Sequence, residues 1–109
     1  MSDMGDERTR KIYEIDEIRE RLRPVFEAAP VYRAILFGSY AKGLADEISD
    51  VDIVIDSRGE LRGLKFVGVM GDVIDALEKD VDMFEIKEIL RDSPIWNTIM
   101  TEGVTLYDR

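Results

Sequence analysis

The 109-residue chain contains no cysteine and no histidine. It therefore has no disulfide, no Cys/His zinc site, and no thiolate or imidazole for catalysis. Whatever chemistry it performs rests on carboxylates, hydroxyls, amines and backbone. It also lacks an apolar run near the 18 or so residues that span a bilayer. Its opening residues, Met1 to Glu7, have neither the basic nor the apolar region of a secretory signal, so the expected location is the cytoplasm. A basic excess is missing too, since 15 Lys and Arg stand against 24 Asp and Glu, a formal charge of −9. Unaided binding to nucleic acid or to acidic lipid is thereby disfavoured, because both partners demand a basic face. An acidic exterior suits a cation, a metal-chelated anion or a basic protein partner.

What remains is globular composition, 45% apolar and 36% charged, with room for one core. Residues 1–109 read as one domain, with an N-terminal helical segment over 1–29 and a core over 30–109. Ile12, Ile15, Ile18 and Leu22 recur at helical spacing, with Glu17 four places before Arg21, which predicts an amphipathic helix over residues 9–22. Pro24 kinks that helix or begins a second one through Ala28. The alternating Glu and Arg of residues 14–23 read as a solvated face. Val31 to Phe37 predicts a buried strand that stops at Gly38-Ser39, followed by a loop over residues 42–49.

Asp50 to Asp56 alternates, with Val51, Ile53 and Ile55 on one face and Asp50, Asp52 and Asp56 on the other, interrupted only by Val54. Phe66, Val67, Met70, Val73, Ile74 and Leu77 predict a helix buried on one side, in which Gly68 and Gly71 are expected to permit close approach to a sheet. Asp80 to Ile86 reads as a third strand. Ser93-Pro94 supplies a cap and a first-turn proline for a helix through Glu102, closed by Gly103. Strands interleaved with helices predict an α/β or α+β sandwich.

The chemistry concentrates in Gly38-Ser39 and, ten residues later, Asp50-Val51-Asp52. Alternate strand residues point the same way about 6.6 Å apart, so both carboxylates lean toward one point in front of the sheet. Two ionised groups at that distance repel by roughly 2–3 kcal/mol at an effective dielectric of 20. A hard divalent cation with oxygen ligands relieves that repulsion, and a pair of such ions fits an in-line phosphoryl displacement. Gly38-Ser39 offers backbone N–H groups for an anion, with the Ser39 hydroxyl and the Lys42 ammonium for outer phosphates. Asp82 on the third strand is the candidate third carboxylate, and Asp80 and Glu85 compete for that role. Tyr40 reads as a cover for the turn, and Trp96 with Ile95, Ile99 and Met100 as packing of a terminal helix or a subunit interface.

Phe37 to Val54 resembles the nucleotidyltransferase superfamily that includes DNA polymerase beta, and in particular its minimal MntA-like antitoxins, which pair with HEPN toxins. The likeness extends more loosely through Val81 to Phe84 and the stretch from Ile99 to Tyr107. It implies a polymerase-beta-like core, a small mixed sheet packed by helices, and transfer of AMP from Mg-ATP, with two Mg2+ ions, to a tyrosine of a HEPN RNase. Carried over, Gly38 and Ser39 contact the triphosphate, and Asp50, Asp52 and Asp82 hold metal and perform catalysis. Lys42 stands where such proteins often have Arg, which keeps the charge but loses two-pronged geometry. The expected partners are a nucleoside triphosphate and a cognate toxin, with no direct nucleic acid, no membrane, and room for a homo-oligomer. The alternative is a non-catalytic, nucleotide-sensing module that neutralises a partner by contact.

Overall fold

The computed structural model describes residues 9–109. The part of the expected N-terminal helical segment that falls on residues 1–8 lies outside them. Residues 9–14 carry no regular secondary structure, and the first helix, α1, covers Ile15–Glu27 and runs through Pro24. Two contacts set that late start. Glu14 and Glu17 cap each other's backbone N–H at the helix entrance. Tyr13, buried, donates its hydroxyl to the Leu77 carbonyl at 2.8 Å. Ile12 is consequently 46% exposed instead of lying on the buried stripe, which consists of Ile18, Leu22 and Phe26.

β1 (Arg33–Phe37) leads into a single turn of helix, α2 (Ser39–Lys42), then β2 (Val51–Asp56), α3 (Leu64–Leu77) and β3 (Val81–Glu85). A 3-10 turn over Ile86–Glu88 precedes α4 (Pro94–Glu102) and a final strand, β4 (Val104–Asp108). The mixed sheet has the order β3-β2-β1-β4: β1 is antiparallel to both neighbours, and β2 is parallel to β3 across the α3 crossover. One face carries Leu36, Ile53, Ile55 and Met83 and is buried under α1 and α3. On the other face Ile35, Phe37 and Val54 pack with Ile99 of α4. Val54, the one interruption of the acidic face, is therefore core.

The Glu/Arg segment is only partly a solvated face. Arg23 pairs with Glu20 at the surface, but Arg21 donates to the Ala76 carbonyl at 3.1 Å and Arg19 to the Thr105 carbonyl at 3.0 Å. Glu17 pairs with Lys11 instead of Arg21. With the Thr9 N–H on the Glu78 carbonyl, the N-terminal stretch supplies donors to three successive carbonyls at the end of α3, which no helical N–H can reach.

In α3 the buried residues are Val69, Val73 and Leu77, whereas Val67 is 54% exposed. The expected role of its glycines is also overturned: a Cβ at Gly68 or Gly71 would meet nothing within 4 Å, so neither is needed for approach to the sheet. Both lie on the outward side. Gly71→Ala is accordingly expected to stabilise the protein by about 0.5–1 kcal/mol, raising the melting temperature by roughly 2–8 °C. A thermal melt showing a decrease would mean that the added methyl group meets other atoms of the chain there, against the open space around Gly71. At α4, Ser93 caps through its hydroxyl, which accepts from the Trp96 N–H at 3.2 Å, and Pro94 opens the helix as expected. Among the described residues no helix is long and apolar enough to cross a membrane.

Candidate active site

Because β1 and β2 are antiparallel, the end of one meets the beginning of the other, and Phe37 pairs with Asp52. The next residue, Gly38, adopts φ 76° and ψ −154°, a combination essentially restricted to glycine. A Cβ there would overlap the Asp52 carboxylate. Glycine thus does two things at once: it turns the chain sharply into α2 and lets the carboxylate stand directly against the backbone. The turn opens with Ser39, whose N–H and that of Tyr40 have no helical acceptor. Tyr40 is buried beneath the turn, as its covering role anticipated.

The parallel register of β2 and β3 sets Asp52 beside Asp82, on strands about 4.8 Å apart. Both belong to the sheet face on which α4 packs, in the part that α4 leaves open. Asp50 precedes β2 by one residue and is exposed, as is Asp82, whereas Asp52 is half-buried. Burial, followed by the nearby charges of Asp82 and Asp50 and a hydrogen bond that protonated Asp52 donates to Asp82, pushes the Asp52 carboxyl up to about 6. Asp50 is raised as well, through desolvation and then the charges of Asp82 and Asp80.

The competitors for the third carboxylate separate by position. Glu85 is buried at the far end of β3, where its carboxylate accepts from the Ser57 N–H and hydroxyl. Asp80 lies at the entrance to β3, its carbonyl accepting from the Val51 N–H. Asp82 alone among the three is in register with Asp52. Lys42, at the end of α2, forms an ion pair with Glu102 at 3.3 Å, a partner that its place in the motif gave no means of foreseeing. Beside Asp50 a cleft of about 270 Å³ opens between Arg10, Glu47, Ser49 and the buried Lys79, whose ammonium donates to the Thr9 and Glu47 carbonyls at 3.2 Å.

Among the described residues, no three carboxylates close into a cage able to hold an ion unaided. That arrangement suits magnesium, which keeps water and substrate phosphate among its ligands and takes only one or two carboxylates from the protein. The donor set is hard oxygen throughout, and a cation would favour the ionised form of Asp52, which burial first and then the charges of Asp82 and Asp50 disfavour. The residues therefore fit such an ion.

Comparison with known proteins bears on family and fold. Residues 13–104 match the nucleotidyltransferase domain family. The Methanocaldococcus jannaschii protein MJ0435, provisionally named a protein adenylyltransferase, is 32% identical over 75 residues, covering 69% of this chain and 81% of that protein. A toxin–antitoxin complex crystallised with AMP-PNP contains a chain that superposes with a TM-score of 0.67 at 23% identity, over 89% of this chain and 75% of that one. A complex of tri-AMPylated Shewanella oneidensis HEPN toxin with its MNT antitoxin gives a TM-score of 0.65 at 18% identity, over 87% and 73%. At these identities the solved structures establish likeness of fold.

Proposed function

The chain belongs to the nucleotidyltransferase domain family, and from that premise we propose that it transfers AMP from Mg-ATP to a tyrosine hydroxyl of a HEPN toxin, silencing the toxin. What supports this most is the juxtaposition of Gly38 against Asp52 and of Asp52 beside Asp82. Gly38 and Ser39 bind the triphosphate through the opening turn of α2. Asp50 and Asp52, with Asp82, hold the divalent cation, which when bound neutralises phosphate charge and polarises the phosphorus. Asp82 takes the proton from the acceptor hydroxyl, whose oxygen then bonds to the α-phosphorus. The bond from that phosphorus to the bridging oxygen breaks, and pyrophosphate leaves. The toxin as acceptor is supported by the MNT and HEPN chains found together among the structural relatives, and a basic partner complements the charge of −9.

The decisive experiment incubates the protein with a HEPN toxin, magnesium and ATP labelled on its α-phosphate. Label is expected on an acceptor tyrosine, lost when that residue is Phe and when metal is removed by chelation. Labelling that persists in excess chelator, or an acceptor that stays unlabelled in complete reaction mixture, would defeat the proposal.

A further inference from the structure

Three ion pairs, Lys11–Glu17, Asp16–Arg19 and Glu20–Arg23, are confined to α1 and its lead-in. The pair between Lys42 and Glu102 differs in kind, because it joins two elements sixty residues apart. Both of its ends are anchored. Lys42 closes the turn of α2, its N–H bonded to the Gly38 carbonyl at 3.2 Å, and Gly38 rests on Asp52. Glu102 closes α4, which is fastened to the sheet by buried Ile99. It is followed by Gly103, where a Cβ would overlap the Ile99 carbonyl oxygen and come within 2.6 Å of the Ile35 side chain. Gly103 has an ordinary φ of −67°, so closeness rather than backbone conformation demands glycine there. Ser39 and Lys42, three positions apart on one helical turn, share a side of it.

We infer that Glu102 is a positioning residue for the nucleotide: it holds the Lys42 ammonium beside Ser39 on the carboxylate-bearing face, ready for phosphate. This inference rests on the nucleotidyl-transfer reading above. An ammonium has three N–H donors, so a single carboxylate partner leaves two for phosphate oxygens. Lysine has many rotamers, and a chain already held in place gives up less freedom when a ligand binds. The sign of the effect separates this role from simple charge. A carboxylate acting only through its field repels a polyphosphate, so its removal would tighten binding; one that positions the lysine makes its removal loosen binding.

Calorimetric titration of the full chain with magnesium and a non-hydrolysable ATP analogue provides the test. Glu102→Gln is expected to weaken binding about 2- to 10-fold through the lost preorganisation. Lys42→Met should weaken it further, and adding Glu102→Gln to Lys42→Met should cost nothing more. In a Lys42→Arg background, where the pair can re-form, Glu102→Gln should again weaken binding. Melting curves verify that each variant is folded, and the arginine background keeps the comparison intact if Lys42→Met is not. Tighter binding by Glu102→Gln, or the same factor with and without Lys42, overturns the inference while leaving the transfer reading standing. A wild type that shows no saturable binding removes both.

Discussion

Replacing Asp52 by asparagine is expected to abolish transfer while making the protein harder to melt at neutral pH. The catalytic loss follows from the position of Asp52 between Gly38 and Asp82. A cation's stabilisation of a phosphoryl-transfer transition state amounts to several kcal/mol, so losing its ligand costs at least about a thousandfold in rate. The stability gain follows from the carboxyl pushed up to about 6 from an ordinary 3.8, first by burial, then by Asp82 and Asp50. A raised acid binds its proton more tightly in the folded state, so the stability it confers is complete below the unfolded value and is lost as pH rises through 6. At pH 8 the ionised group is a net cost, which asparagine removes. Discounted for the screening that a half-exposed carboxylate enjoys, the gain is about 1 kcal/mol, or roughly 4–8 °C in melting temperature. It should shrink as pH falls from 6 toward 4. Millimolar magnesium should raise the melting temperature of the wild type and leave that of the variant nearly unchanged. A variant that melts below wild type at every pH would mean that the carboxylate braces the fold rather than straining it.

The second large effect is at Gly38. Alanine there meets both a backbone conformation reserved for glycine and an overlap with the Asp52 side chain. Backbone strain of about 1–3 kcal/mol and a similar overpacking term give a loss of roughly 2–6 kcal/mol, a fall of at least about 8 °C in melting temperature. Transfer should fall with it, since the Asp52 side chain must swing aside to admit the methyl group. In an Asp52→Ala background the overlap disappears but the backbone strain does not, so Gly38→Ala should cost less there by the overlap share. Equal costs in the two backgrounds would mean that the glycine is required by its dihedral angles alone. The contrast with Gly71, where the same methyl group is expected to stabilise, shows that the glycines of one chain can serve opposite ends.

Local chemistry was the legible part of this sequence. Ser93-Pro94 announces the start of α4 because a hydroxyl cap and a proline act within one turn. The alternation of Val51, Ile53 and Ile55 places β2 and puts Asp50 and Asp52 on one side of it. Asp82 is the candidate the sequence favours, but no local signal separates it from its competitors Asp80 and Glu85, since the choice depends on the register of two strands separated by a helix. The errors share that origin. Ile12 fits the helical period, yet Tyr13 reaches across to Leu77 and the helix begins later. Val67 fits the helical period, yet Val69 is the residue buried, because the boundary of α3 and its rotation against α1 are set by packing. β4 went unmarked, although Val104, Thr105, Leu106 and Tyr107 alternate, because five residues give periodicity little to work with. Lys42 offered a phosphate ligand by type, while its partner Glu102 comes from another element altogether.

The parallel pairing of β2 and β3 also bears on how long the protein survives. Asp52 and Asp82 stand thirty positions apart and become neighbours only when α3 has carried the chain across the sheet. A denatured chain offers incoming ligands two scattered acids and no paired ones. Whatever binds between them selects the native ensemble by mass action, worth about 2.7 kcal/mol at a hundredfold excess over its dissociation constant. Such a ligand would thus lower the population of unfolded chain that a protease can cut.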